Sequence, residues 1–148
     1  MSMFNYCPLI WMFCCKGAHA LINKTHHRAL KARYCNFTDS FESLLSRSNS
    51  IKIHERNLKL MLIEVFKSEH KFGPEILHNT FVQRQLPYQF RTGNTFIVPS
   101  MKYINSFDFR AAMTWNKLPK LIKNVETLSE FESNLTKLKL NCRCSMCR

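Results

Sequence analysis

The chain has 148 residues, 45% of them hydrophobic, which is enough for one compact domain with its own core. Only three glycines and five prolines interrupt the sequence, so the composition favours helices over a β-sandwich with many turns. The net charge of +12 is more than solubility requires, and it indicates a polyanionic partner, either nucleic acid or an anionic membrane surface.

The cysteine pattern and the lack of a recognisable signal peptide favour an intracellular protein. The seven cysteines are an odd number and do not show the spacing of a secreted disulfide framework. The apolar run from Cys7 to Cys15 is too short to span a bilayer. No positive charge precedes this run and no clean cleavage site follows it, which argues against a signal peptide. We expect a nuclear or cytoplasmic location, without a transmembrane segment and without secretion.

Hydrophobic periodicity predicts helices through the first half of the chain. An apolar patch at residues 5–15 comes first, and its composition is typical of a surface that packs against a partner, here one expected upstream. Asp39 and Glu42 fit the start of a short helix. Gly73 is expected to stop the long helix that follows, and Pro74 to open a short one. These helices are predicted at about residues 16–33, 39–45, 52–70 and 75–81, with a loop at 46–50.

The helical period is lost between Val82 and Ile104, where aromatic and β-branched residues predict an irregular loop or a short hairpin around residues 92–95. Arg84, Arg91 and Lys102 lie among the aromatics of this segment. Such an arrangement can clamp single-stranded nucleic acid. The alternative is that the aromatics fill a small core.

Helical periodicity returns at about residues 107–118 and 127–140, and Thr127 with Glu130 forms a capping box at the start of the second stretch. The predicted fold class is therefore mainly α. Four segments are expected: a helical region at 1–81, a linker or hairpin at 82–104, C-terminal helices at 105–140 and a Cys-rich tail at 141–148.

The helix predicted at 16–33 is both amphipathic and basic. No Asp or Glu precedes Asp39, so its positive charges have no acidic neighbour in sequence. We predict nucleic-acid contacts at Lys16, Lys24, Arg28, Lys31 and Arg33, and further along the chain at Arg91. The alternative is a solvated helix face without a partner. The apolar face is predicted from Ala18, Leu21, Ile22, Ala29 and Leu30, while His26 and His27 are expected at the surface.

The sequence lacks the residues of a polymerase centre. Such a centre needs paired aspartates that hold two Mg²⁺ ions about 4 Å apart. The chain contains only two aspartates, Asp39 and Asp108, and they are not adjacent. Phosphate-loop, zinc-protease and serine-hydrolase motifs are also absent from the sequence. We therefore predict no catalytic residues and no enzymatic activity for this chain.

The last residues of the chain form a candidate zinc site. Cys142, Cys144 and Cys147 are three thiols within six residues, and Cys144 and Cys147 have the C-x₂-C spacing of a zinc knuckle. A structural site needs a fourth ligand, which would come from a cysteine such as Cys35, from a histidine, or from outside the chain. The alternative is a reactive tail that binds no metal.

A series of short motifs runs along almost the whole chain in a fixed order: residues 7–14, Ile22-Asn23, residues 27–30, Tyr34, residues 41–45, 53–58, 73–76, 91–94 and 115–119, Ile122-Lys123 and the cysteine tail. This series resembles the region after the polymerase palm in non-LTR, LINE-type (jockey-like) retrotransposon reverse transcriptases. The resemblance implies a thumb-like helical bundle with C-terminal helices that grip the template–primer and the RNA of the element. It also implies that the catalytic aspartates belong to an upstream polymerase domain.

Three functions are therefore open at the level of sequence. The first is a non-catalytic nucleic-acid-binding region of such a polymerase. The second is a module that docks on a protein or membrane surface through the apolar patch and the basic helix. The third is a small zinc-binding adaptor organised by the tail.

Overall fold

A computed structural model of the chain describes residues 7–84, 95–100, 106–138 and 140. Over these residues the protein is mainly helical, which confirms the predicted fold class. In this part of the chain no helix is both long enough and apolar enough to cross a membrane. The helices are α1 (Pro8–Trp11), α2 (Lys16–Tyr34), α3 (Phe41–Arg47), α4 (Ile53–Glu69), a 3₁₀ turn (Glu75–Leu77), α5 (Phe107–Asn116), α6 (Lys120–Lys123) and α7 (Leu128–Lys137).

The protein divides into two compact units, a first unit that ends at Asn57 and a second unit that begins at Leu58. The boundary lies inside α4, so this helix contributes its first turn to one unit and its remainder to the other. The four segments that the sequence indicates stay a prediction.

In the first unit, α2 and α3 enclose a small core of Leu30, Leu44 and Leu45, against which Tyr34 and Phe41 are partly buried. The start of α3 differs by one residue from the prediction. Its N-cap is Ser40, whose Oγ accepts a hydrogen bond from the backbone N–H of Ser43.

The side chain just before this helix explains the shift of the cap. Asn36 Oδ1 accepts hydrogen bonds from the backbone N–H groups of Thr38 and Asp39. This local turn occupies Asp39, and the next residue, Ser40, becomes the cap.

Three helices end in the same way. Cys35, Asn49 and Lys71 follow α2, α3 and α4 with φ angles of 49°, 49° and 57°. In each case the next backbone N–H donates to a carbonyl five residues earlier, as Phe72 does to Lys67 at 2.8 Å. The prediction that Gly73 stops the long helix is therefore wrong, because the left-handed residue that ends α4 is Lys71.

The short helix predicted at residues 75–81 is only the 3₁₀ turn. Side chains replace helical backbone partners there. His78 Nε2 lies 2.8 Å from the Gly73 carbonyl oxygen, and Ser68 Oγ donates to the Leu77 carbonyl. Since these carbonyls are already satisfied, further helical turns gain less hydrogen bonding.

The described part of the apolar N-terminal patch, residues 7–15, includes α1. Met12 is buried, and its carbonyl oxygen lies 2.9 Å from His19 Nε2. Trp11 and Phe13 are half-buried, whereas 77% of Ile10 is exposed. Some of this patch therefore packs within the first unit, and Ile10 remains available for contact.

The core of the second unit contains a continuous series of aromatic rings. Phe66 of α4 stacks on Phe131 of α7 at 4.3 Å between ring centroids, and Phe131 lies 5.9 Å from Trp115 of α5. Phe96 stacks on Trp115 at 5.5 Å and on Phe81 at 5.1 Å.

The predicted apolar stripe of α4 is confirmed, since each of its members is at most 3% exposed: Ile53, Leu58, Met61, Leu62, Val65 and Phe66.

The two arms of the predicted hairpin are paired in the second unit. Gln83 and Phe96 form an antiparallel bridge, supported by hydrogen bonds from Arg84 N to Thr95 O and from Ile97 N to Val82 O. The turn predicted at residues 92–95 lies mostly outside the described residues. Because Phe96 is 1% exposed and stacked within the core, its ring fills a core and is not accessible for stacking on nucleic acid.

Candidate nucleic-acid interface

Helix α2 carries a row of positive charges on its exposed side. Lys24 and Arg28 are exposed and Lys31 is half-buried, and spacings of four and three residues place them on one face. We call these three residues the basic row. The helix contains no acidic residue, and within the described residues no ion pair involves the row. In the part of the chain that the structure describes, these charges are left to solvent ions or to a ligand.

The other predicted contacts on this helix lie elsewhere. Lys16 is exposed at the first position of α2, where a positive charge opposes the helix dipole. Arg33 is nine residues after Lys24, which at 3.6 residues per turn places it about 180° away around the helix axis. The structure therefore does not bring the predicted residues onto a single surface. Arg91 lies outside the described residues.

The apolar face predicted for α2 is partly wrong. Leu21 is 64% exposed and Ala29 is also exposed, whereas His19, His26 and Leu30 are the buried residues. Hydrophobic periodicity treats histidine as polar, yet a neutral imidazole packs well against other rings. His26 lies 5.4 Å from Phe41 in a T-shaped arrangement.

His26 was expected at the surface, and this prediction is wrong because only 1% of the residue is exposed. Burial lowers the pKa of its imidazole below the ordinary value, and the nearby Arg56 and His27 lower that pKa further. His27 is half-buried, and its ring lies 5.2 Å from Phe41. The imidazole of His26 is therefore a structural element of the first unit, and its burial favours the neutral form.

Acidification is expected to destabilise the first unit through His26. In the unfolded chain this side chain protonates near pH 6.5, and in the folded protein it protonates only at lower pH. The unfolded state therefore binds the proton first, so the stabilisation is complete above about pH 6.5 and decreases as the pH falls towards the folded pKa. One proton gives a slope of at most about 1.4 kcal/mol per pH unit.

The measurement is the free energy of unfolding in urea between about pH 7 and pH 5, for the natural chain and for His26→Leu. The variant should show a shallower dependence on pH. An identical slope in both proteins would assign the acid sensitivity to other groups.

Arg33 belongs to a second cluster of positive charge, which sequence periodicity did not reveal. Its guanidinium carbon lies 5.7 Å from the centroid of the Tyr34 ring, and that of Arg47 lies 4.9 Å from the same centroid. Both arginines are exposed. Arg47 is thirteen residues after Tyr34 and lies on α3, so only the packing of α3 against α2 brings the three residues together.

The candidate zinc ligands Cys142, Cys144 and Cys147 lie outside the described residues. Among the described residues, Cys7, Cys14, Cys15 and Cys35 are free thiols. In the same part of the chain, no three His, Cys, Asp or Glu side chains converge on a position that could hold a metal ion.

Comparisons with protein-family models, with curated proteins and with solved structures found no match for this chain. The resemblance to LINE-type reverse transcriptases therefore stays a prediction from the sequence.

Proposed function

We propose that this chain is a non-catalytic, thumb-like C-terminal region of a LINE-type reverse transcriptase and that it binds template RNA or DNA through the basic row of α2. Its further partner is then the polymerase domain of the parent enzyme, and its location is nuclear or cytoplasmic. The absence of adjacent aspartates in the sequence supports a role in binding, with catalysis supplied by that domain.

The basic row is the observation that carries the proposal. Lys24, Arg28 and Lys31 lie along one face of α2, and the helix contains no carboxylate that could neutralise them. Several phosphates of a nucleic acid would replace the counterions of such a row at once. Release of those counterions makes this binding favourable and sensitive to salt.

Removal of the basic row is expected to weaken nucleic-acid binding and its salt dependence together. In the variant Lys24→Gln, Arg28→Gln, Lys31→Gln, the slope of log affinity against log salt concentration should decrease by about 2 to 3, for three lost phosphate contacts. The measurement is fluorescence anisotropy of the full chain with labelled RNA and DNA oligonucleotides over a series of salt concentrations. Gln preserves the fold because its helix propensity is close to those of Lys and Arg.

A matched control removes the same charge from the second unit. Lys117, Lys120 and Lys137 are exposed, and their triple replacement by Gln should leave the slope nearly unchanged. Equal loss in both triple variants would indicate non-specific attraction to net charge. Binding that does not depend on salt, or no binding, would contradict the proposed function.

A membrane-surface role is the second candidate, and exposed Leu21 favours it. Leu21 is 64% exposed and precedes Lys24 and Arg28 by three and seven residues, so an apolar side chain joins the basic face of α2. Leu21→Gln should leave oligonucleotide binding unchanged. If the variant loses binding to phosphatidylserine vesicles that the natural chain binds, the membrane role is favoured.

Zinc binding at Cys142, Cys144 and Cys147 remains a proposal for the tail. Metal analysis of the purified chain tests it, because one equivalent of zinc should be present and should be lost in Cys144→Ser, Cys147→Ser.

A further inference from the structure

The Tyr34 ring is held in place by the packing of the first unit. It is partly buried against the core of Leu30, Leu44 and Leu45. The backbone that follows is fixed by the left-handed residue Cys35 and by the hydrogen bond from Asn36 N to Lys31 O. Two cations are thus directed at a ring whose position is already determined.

The two arginines have local reasons to be where they are. Each belongs to the last turn of its helix, where a positive charge stabilises the helix dipole, and each lies within the roughly 6 Å range of a cation–π contact. These effects account for one arginine at a time. They do not account for two guanidinium groups at a single ring. Two positive charges that lie within about one Debye length of each other repel.

The net electrostatic balance of the cluster is positive. Each helix C-terminus contributes roughly half a negative charge, so two of them offset about one of the two full charges of Arg33 and Arg47. Within the described residues neither arginine forms an ion pair, and Glu42, the acidic residue at the start of α3, is paired with Lys52 at 3.1 Å. A guanidinium group presents its donors in a planar fork that matches phosphate oxygens.

We propose that Arg33, Arg47 and Tyr34 form a phosphate clamp that binds the backbone of a single-stranded nucleic acid. The clamp deepens the proposed function and rests on it, since it supplies a second contact for the strand that the basic row binds. It binds a phosphodiester through the guanidinium groups of Arg33 and Arg47, both of which lie beside the Tyr34 ring.

The position of the clamp on α2 determines the preference for a single strand. Arg33 lies about 180° around the helix from Lys24 and about 140° from Arg28. A ligand that touches both the basic row and the clamp must bend around an α-helix about 10 Å wide. Duplex DNA is stiff over about 150 base pairs and does not bend so sharply, whereas a single strand does. A duplex therefore binds at the row, which offers three positive charges against the two of the clamp, and a single strand contacts both.

The test compares single-stranded and duplex oligonucleotides of the same sequence, bound to the full chain. In Arg33→Gln, Arg47→Gln, the salt slope for the single strand should decrease by about 1.4, for two lost contacts, while the slope for the duplex stays unchanged. Arg33→Lys, Arg47→Lys should retain the slope but bind more weakly, because an ammonium cannot form the planar fork. Lys117→Gln, Lys120→Gln is the matched control and should behave as the natural chain does.

A second measurement observes the clamp directly. The arginine Nε–Hε resonances of Arg33 and Arg47 should shift on addition of the single-stranded oligonucleotide, and free inorganic phosphate at the same phosphate concentration should shift them less. Tyr34→Leu, which removes the ring, should abolish the shifts, and Tyr34→Phe should retain them.

The outcomes separate the two proposals. If the chain binds oligonucleotides with a strong salt dependence and the double arginine variant keeps the natural slope for single strands, the clamp is overturned and the proposed function stands. Equal losses for duplex and single strand overturn the assignment to single strands. If the chain binds no oligonucleotide, both proposals are overturned.

Discussion

Replacement of Trp115 by alanine is expected to reduce the free energy of unfolding of the second unit by about 3–5 kcal/mol. The side chain is 2% exposed and is in contact with Phe96 and Phe131, so its removal leaves a cavity in the middle of the aromatic series. The Phe96 and Phe131 rings that line this cavity lie on two different chain segments and are stacked on further rings, so they cannot simply move inward to fill it. Urea unfolding followed by circular dichroism measures the loss.

Two further variants test whether the loss of stability comes from the buried ring of Trp115. Leu121→Ala changes a residue of the same unit that is 86% exposed, and its effect should be within about 0.5 kcal/mol. Trp115→Phe should cost much less than Trp115→Ala, because the buried indole N–H has no hydrogen-bond partner within the described residues and phenylalanine removes that donor. A loss for Trp115→Ala no larger than that for Leu121→Ala would contradict the central position of the indole.

Asn116→Asp is expected to destabilise the second unit by about 1–3 kcal/mol at neutral pH, although the side chain barely changes in size. Asn116 Oδ1 accepts the backbone N–H of Phe96 at 2.8 Å, and its Nδ2 donates to the carbonyl oxygen of Phe96 at 3.0 Å. The Asn116 amide thus pairs with both backbone polar groups of the buried residue Phe96, as a neighbouring strand would. An ionised carboxylate retains the first hydrogen bond and loses the second, and its other oxygen then faces the carbonyl oxygen of Phe96.

The pH dependence of this penalty identifies its cause. A protonated aspartic acid carries an O–H group that can donate to the Phe96 carbonyl, so the pKa of the introduced carboxyl should be raised in the folded protein. The folded state then binds the proton more tightly than the unfolded state does, and the penalty relative to the natural chain should decrease as the pH falls towards about 4. Asn79→Asp changes an exposed residue of the same unit by the same charge and should cost less than about 0.5 kcal/mol. A pH-independent penalty would rule out the lost donor as its origin.

Both predictions concern contacts that join distant parts of the chain, and neither contact was visible in the sequence. Asn116 occupies the last position of α5, where an amide has no special value by itself. It becomes important through Phe96, which lies twenty residues earlier in the chain. Within the described residues, the backbone N–H and carbonyl of Phe96 are both paired with the Asn116 side chain.

The pairing of Arg33 and Arg47 over Tyr34 arises in the same way. The sequence identified Arg33 as one member of a basic helix, but its proposed partner in phosphate binding lies on another helix. No periodicity within one element can indicate a contact between two elements.

The sequence by itself determined the mainly helical fold class, the extents of α2 and α4 to within a residue or so, and the buried stripe of α4. These features depend on local propensity and on spacings of three and four residues, which are properties of consecutive residues. It also determined the cap at Thr127, whose side chain accepts a hydrogen bond from the backbone N–H of Glu130, the other residue of the predicted capping box.

Only the tertiary structure decided which face of α2 is buried. Periodicity favoured Leu21, Ala29 and Leu30, and the structure buries Leu30 together with His19 and His26 while Leu21 and Ala29 are exposed. The physical reason is that burial depends on what the opposite element offers. The Phe41 ring accommodates a neutral imidazole, and the solvated face of α2 is then the one that carries Leu21 with Lys24 and Arg28. The packing of α3 against α2 also places Arg47 beside Arg33 at the Tyr34 ring. The positive charges that the sequence assigned to one helix therefore belong to two separate surfaces.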